Sequence, residues 1–211
     1  MIDVRQQVND VRRTLGDRTL EAGAGRVSTI SQVYATGIDD LWSVVTSPER
    51  IARWFLPVSG ELKEGGSYQL EGNAGGTISR CDKPRGFDAS WEYGGMVSWI
   101  EVRLSPSGDG TLFELHHIAP IPEDTSFWDQ FGPGATGVGW DMGLIGLASY
   151  LSDPDSVPDP KMMATWHETP EGQEFIRSAS DRWAEAAIAY GDDPEKAKAA
   201  AANTYGFYTG T

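Results

Sequence analysis

"FGPGATGVGWDMGLIGLASYL", Phe131 to Leu151, is the stretch on which the fold turns. Gly132, Gly134 and Gly137 form a literal G-x-G-x-x-G. In a dinucleotide-binding fold such glycines follow a buried strand and deliver a pyrophosphate to a helix N-terminus. The other reading makes them a flexible approach to an apolar helix. From Val138 to Leu151 the spacing predicts that helix, with Trp140, Leu144, Leu147, Ala148 and Leu151 on one face. Met142 and Ile145 make a second side apolar as well. A helix apolar on two sides belongs between two layers.

The flanks choose between the readings. The preceding "IPEDTSFWDQ" (121–130) is no buried parallel strand. Asp153 and Asp155 follow at about the ribose-binding distance, but in the proline-broken run "SDPDSVPDP" rather than at a strand end. A Gly-Lys-Ser/Thr is absent, and "GNAGGT" (72–77) reads as a turn between strands. The expectation is that ATP, NADH and FAD are not bound and that no cofactor is needed.

Working toward the N-terminus, the run from Thr111 to Ala119 alternates as a strand, with Phe113, Leu115 and His117 on one side and Glu114 and His116 on the other. Further alternating segments span 61–62, 67–72, 77–82, 87–93 and 96–104, and "SPSGDG" (105–110) joins the last two strands as a hairpin loop. Before them, Val27–Tyr34 reads as a strand. Asp39 suits the cap of a helix carrying Leu41, Trp42, Val44 and Val45, and Ser47-Pro48 opens a second short helix. The pattern is α+β, with one strand, two helices and a run of antiparallel strands.

Residues 1–26 read as a short helix on Val4, Val8, Val11 and Leu15, followed by an "EAGAG" linker. At the other end, 153–211 reads as a helical extension. Thr169-Pro170 starts one helix that Gly191 ends, and Asp193-Pro194 starts another that reaches about Tyr205. Ile176, Ala179, Trp183, Ala186 and Tyr190 form an apolar stripe. Either the second side of the 138–151 helix or a second subunit, giving a homodimer, must cover it.

Composition narrows the partners. The chain has 211 residues and a formal net charge of −14. Its densest basic run, Val11-Arg12-Arg13, lies between acids, so nucleic acid and anionic membrane are poor partners. The first residues carry no apolar leader and no apolar run is long enough to span a bilayer. A single cysteine, Cys81, suits a reducing compartment, and the expected location is cytoplasmic. Alternation places Cys81 as a small buried or half-buried strand residue.

The motifs together resemble a family. Trp42, the "SPERIARWF" helix (47–55), "GFDASWEY" (86–93), the Gly108–Thr111 hairpin leading to His117, and Gly139-Trp140 occur in the order of the SRPBCC/START-like superfamily. The branch resembled is the one named for activators of the ninety-kilodalton heat-shock protein ATPase. The likeness covers roughly residues 27–152 and leaves 1–26 and 153–211 outside. It implies a helix-grip fold, in which a curved antiparallel sheet wraps a long C-terminal helix, here with extra C-terminal helices. It also implies a cavity for small, largely apolar molecules. Some members act on polyketide-like substrates and others bind a chaperone.

Within that frame the expected ligand-binding residues are Trp54, Phe55, Tyr68, Phe87, Trp91, Phe113, Leu115, His117, Trp140 and Leu144. His117 is the one candidate acid/base, if a second polar group such as Arg80, Tyr93 or Arg103 converges on it. His116 and His117 face apart and no His/Cys/carboxylate set has ligand spacing, so no metal is expected. Three functions stay open: a binder of an apolar or aromatic small molecule in an enclosed pocket, a cyclase- or hydrolase-like enzyme using His117, and a module that binds a chaperone or other protein.

Overall fold

The computed structural model describes residues 2–21, 23–156 and 165–211. In chain order these form α1 (Val4–Asp10), β1 (Arg12–Leu20), β2 (Gly23–Tyr34), α2 (Ile38–Thr46), α3 (Pro48–Ile51), β3 (Val58–Gly60), β4 (Ser67–Leu70), β5 (Gly75–Asp82), β6 (Gly86–Tyr93), β7 (Met96–Ser107) and β8 (Gly110–Pro120). Then follow α4 (Ser126–Phe131), α5 (Gly134–Ser152), a 3-10 turn at Trp166–Glu168, α6 (Pro170–Tyr190) and α7 (Pro194–Thr209). Of the proline-broken run expected at 152–160, residues 157–160 lie outside the described residues, as does Ala22 of the expected linker.

All eight strands form one antiparallel sheet in the order β1-β2-β8-β7-β6-β5-β4-β3. The long helices pack against one face of it, and the architecture is the α+β helix-grip. Alternation sets which side chains enter. On β8, Phe113, Leu115 and His117 are buried while Glu114 and His116 are only partly so.

Helix α5 occupies the middle layer, between β2 and the C-terminal helices. It begins at Gly134, not at Val138, because Gly134 and Gly137 are themselves helical. They serve close packing. A Cβ at Gly137 would lie 2.2 Å from the Trp183 ring of α6, and one at Gly146 would lie 2.3 Å from the Trp54 carbonyl. The G-x-G-x-x-G is thus where helix α6 approaches α5, and the Trp54 segment approaches it farther along, at Gly146.

The first twenty-six residues depart from expectation. The helix stops at Asp10, and Arg12–Leu20 is a strand paired along its length with Gly23–Ser31. Helical spacing of Val11 and Leu15 is overridden by that long-range pairing. Arg13 consequently points into the core, where its side chain is 2% exposed and ion-paired with Asp141 of α5. A division at 26/27 would fall inside β2. Smaller corrections follow the same logic. The strand expected at 61–62 is instead Val58–Gly60. Asp39 sits in the first turn of α2, with Gly37 at the cap. The β7–β8 hairpin has only Gly108 and Asp109 between its strands, Gly108 taking a φ of +57°.

The C-terminal helices join the same core. Phe175, Ile176, Ala179 and Trp183 are buried with Val4, Phe113 and Leu144 in one cluster. The α6 stripe is therefore covered by this chain, except for Tyr190, which is 40% exposed. Thr169 caps α6 by accepting from the Gly172 amide, and Asp193 caps α7 by accepting from the Glu195 and Lys196 amides. Helix α7 runs on to Thr209. Among the described residues no helix is long and apolar enough to cross a membrane.

Candidate functional site

The far half of the sheet, from β8 to β3, is not filled by α5. There the sheet, the α2–α3 segment and Trp140 of α5 bound a cavity of about 340 Å³. Trp42, Val45 and Thr46 of α2 form its roof, continued by Ile51, Trp54 and Phe55. Its floor is the alternate residues of the sheet: Leu70, Ile78, Phe87, Ala89 and Trp91, then Ile100, Val102, Phe113 and Leu115. The helix turn at 48–55 carries this roof because Ser47 ends α2 and Pro48 restarts the chain in a new direction.

Aromatic contacts organise one wall. Trp140 lies 4.8 Å from Trp91, centroid to centroid, and stacks at 6.4 Å on Phe55, which in turn meets Trp54 at 5.5 Å. The Trp54 indole is fixed by donating to the Val44 carbonyl at 3.1 Å. The Tyr68 hydroxyl donates to the Ser90 carbonyl at 2.7 Å, and burial pushes its pKa up. Trp140 Nε1–H is buried and has no hydrogen-bond partner among the described residues.

Of the residues singled out from sequence, Trp54, Phe55, Tyr68, Phe87, Trp91, Phe113, Leu115 and Trp140 line this cavity. Leu144 does not. It lies one turn beyond Trp140 on α5, 3% exposed, where its carbonyl accepts from the Tyr34 hydroxyl at 3.3 Å. That turn of the helix faces β2, away from the open half of the sheet. His117 does not line the cavity either. Its ring sits edge-on to Trp140 at 5.8 Å, and its Nε2 is 2.8 Å from Ser98 Oγ. Ser98 donates its one hydrogen to the Trp91 carbonyl at 3.1 Å, so the consistent tautomer has His117 Nε2–H donating to Ser98. Burial pushes the His117 pKa down to about 4. The neutral ring thus closes a short structural chain between β8, β7 and β6.

No second titratable group among the described residues is hydrogen-bonded to His117. Arg80 pairs with Asp82 at 3.2 Å, Arg103 with Asp88 and Glu101, and Tyr93 is 55% exposed. His116 lies on the outer face, where its Nδ1 meets Thr29 Oγ1 at 2.9 Å and burial lowers its pKa.

Sequence reasoning missed the rim. Lys63, Cys81 and Lys83 also line the cavity, and all three are exposed, so it reaches solvent there rather than being enclosed. Cys81 was expected to be buried or half-buried. A register shift between Ile78 and Arg80 of β5 breaks the alternation on which that expectation stood. Ile78 remains on the inner face, and Cys81 emerges at the mouth.

A family model described as "Activator of Hsp90 ATPase homolog 1-like protein" matches residues 35–152. CalU16 from Micromonospora echinospora is similar across most of both chains. Against its crystal structure the identity is 37%, with 84% of this chain and 98% of that chain covered and a TM-score of 0.64. Against its solution structure the identity is 38%, with 86% and 97% covered and a TM-score of 0.68. DynU16, a protein in the dynemicin biosynthetic locus, is similar at 18% identity over 60% of this chain and 47% of that chain, with a TM-score of 0.52, which speaks to the fold alone. No curated protein matches the chain.

Proposed function

The chain belongs to the activator of Hsp90 ATPase homolog 1-like family, and within it we propose that this protein is a binder of an apolar or aromatic small molecule. One observation carries the reading: about 340 Å³ is left open between the sheet and the α2–α3 roof, with aromatic and aliphatic walls. A core that existed only for packing would leave few voids larger than a water molecule. Ligand sites have volumes of about 300–1,000 Å³, mostly apolar walls and a few polar groups. The unpartnered Trp140 Nε1–H supports the same reading, because buried donors are nearly always paired in the functioning molecule. An acid/base role for His117 has less behind it, since the ring lies outside the cavity lining and its hydrogen-bond partner is the Ser98 hydroxyl.

The test uses phenylnaphthylamine, a neutral aromatic dye that fluoresces in apolar surroundings. At about 100 times its Kd, binding to the native state alone adds roughly 2.7 kcal/mol. For a chain of this size that is a rise in Tm of about 5–10 °C. Ala89, 1% exposed on the cavity floor, provides the blocking variant. Ala89→Phe fills the space at an overpacking cost of roughly 1–3 kcal/mol, and it removes both the dye signal and the melting shift. A dye that binds wild type and Ala89→Phe equally would end the proposal.

A further inference from the structure

We infer that the ligand is an anion, held with its apolar body in the cavity and its acidic group at the mouth between Lys63 and Lys83. This rests on the cavity being a ligand site, and it adds the ligand's charge and direction.

The chain carries 31 acidic residues and a net charge of −14, and only five of its residues are lysines. Yet among the described residues the charged ones that line the cavity are Lys63 and Lys83, both cationic, and no carboxylate is part of that lining. They come from separate segments, the turn before β4 and the turn after β5, and both are exposed. They therefore stand at the open side, while the aromatic wall around Trp140 lies on the helix side.

The acids nearby are already engaged. Asp82 accepts from Arg85 at 2.8 Å and Arg80 at 3.2 Å. Glu64 accepts from the Cys81 amide at 3.1 Å. Lys63 contacts Glu61 at 2.9 Å, but those side chains are 70% and 69% exposed, and such a pair is weak enough for Lys63 to turn toward an incoming anion. Lys83 forms no ion pair among the described residues. In an acidic molecule, two cations at the mouth of an apolar cavity and no anion in its walls favour an amphipathic acid over a neutral or cationic ligand. A carboxylate, a sulfonate or an ionised phenol would satisfy this chemistry equally.

The experiment compares two dyes that share one aromatic body: anilinonaphthalene sulfonate, which is anionic, and phenylnaphthylamine, which is neutral. Both are titrated into the full chain at about 0.01 M salt, where charges act over about 30 Å. The K63E/K83E pair is compared with K196E/K198E, which makes the same change in net charge on α7. The expected result is a loss of at least about tenfold in sulfonate affinity in K63E/K83E, with phenylnaphthylamine affinity within about twofold of wild type and K196E/K198E like wild type for both. An equal loss in the two charge-reversed pairs would make the effect one of overall charge and overturn the inference. So would an unchanged sulfonate affinity in K63E/K83E, although the cavity reading would then survive on the neutral dye. Binding of neither dye to wild type would overturn both. Both substituted pairs are exposed, so the variants are expected to fold, and tryptophan emission spectra matching wild type check it.

Discussion

Arg13 and Asp141 form an ion pair in the middle of the molecule, with side chains 2% and 1% exposed. The partners come from β1 and α5, elements separated by more than half the chain. Arg13 also donates to the Val11 carbonyl at 2.9 Å, and Asp141 Oδ2 accepts from the Trp183 indole at 2.8 Å. One carboxylate therefore ties the N-terminal strand, the gripped helix and the C-terminal helix together. Burial pushes the Asp141 pKa up, and Arg13 and Trp183 act against that.

Removing one member of such a pair leaves the other as an uncompensated buried charge. Arg13→Met alone is expected to destabilise the fold by roughly 3–5 kcal/mol in urea denaturation. Asp141→Leu in the Arg13→Met background is expected to recover part of that loss, because two apolar side chains bury without a desolvation penalty. A double variant no more stable than Arg13→Met would show that the pair acts through the Trp183 contact instead.

The glycines of α5 offer a graded comparison. Replacing a helical glycine by alanine normally stabilises by about 1 kcal/mol. At Gly139 the new Cβ would meet Tyr208 Oη at 3.2 Å, which the side chain can absorb, so Gly139→Ala is expected to be close to neutral. At Gly137 it would enter the Trp183 ring at 2.2 Å, and that ring is 1% exposed and held by Asp141. Gly137→Ala is expected to destabilise by roughly 2 kcal/mol after the helix gain is subtracted. Equal Tm values for the two variants would remove the packing role assigned to the glycine motif.

The histidine buried beside Trp140 sets a pH dependence. Its folded pKa is about 4 against an ordinary 6.5. Between these values the unfolded chain takes up a proton that the native ring refuses. Stability is therefore full above pH 6.5 and falls as the pH drops toward 4, by roughly 3 kcal/mol for this one group. His117→Phe keeps an aromatic ring against Trp140 and cannot titrate. Its urea midpoint is expected to fall less than that of wild type over the same window. His116, also lowered by burial, leaves a residual slope of the same sign. Parallel curves for the two proteins would mean that His117 takes up its proton in the native state as readily as in the unfolded chain.

What the sequence disclosed and what it withheld follow from the range of the interactions. Period-two alternation on β6 and β8 is a local signal, and it picked out Phe87, Trp91, Phe113 and Leu115. Caps and prolines are local too, so Thr169, Gly191 and Asp193 marked their helices. Strand β1 was hidden because its partner β2 reads as a strand with or without it, while Val4, Val8 and Val11 happen to keep helical spacing. The Arg13–Asp141 pair left one trace, a lone acid inside "GWDMGLIGL", an otherwise apolar helix. The mouth of the cavity left none. Lys63 and Lys83 lie in turns some twenty residues apart, and the irregularity in β5 that turns Cys81 to the cavity side has no signature in "TISRCD".

That same irregularity supplies a built-in reporter. Cys81 is the one cysteine of the chain, it is exposed, and it lines the cavity at the rim. A neutral maleimide should therefore alkylate free protein readily at this position. With phenylnaphthylamine at about 100 times its Kd, only about one molecule in a hundred has an open cavity at any instant. If the ligand covers the rim, alkylation slows by a large fraction of that factor, and a slowing of at least about fivefold is the expected result by intact-mass spectrometry. The converse holds as well: protein already carrying a phenylmaleimide adduct at Cys81 should bind the dye at least about fivefold more weakly, because the added ring competes for the same apolar space. Ala89→Phe separates this from a general effect of dye on the thiol. It fills the floor while leaving the rim exposed, so its Cys81 should react at one rate with and without dye. Alkylation of wild type that proceeds equally fast in saturating dye would place the bound molecule away from Lys63, Cys81 and Lys83, and would point to a site elsewhere on the sheet.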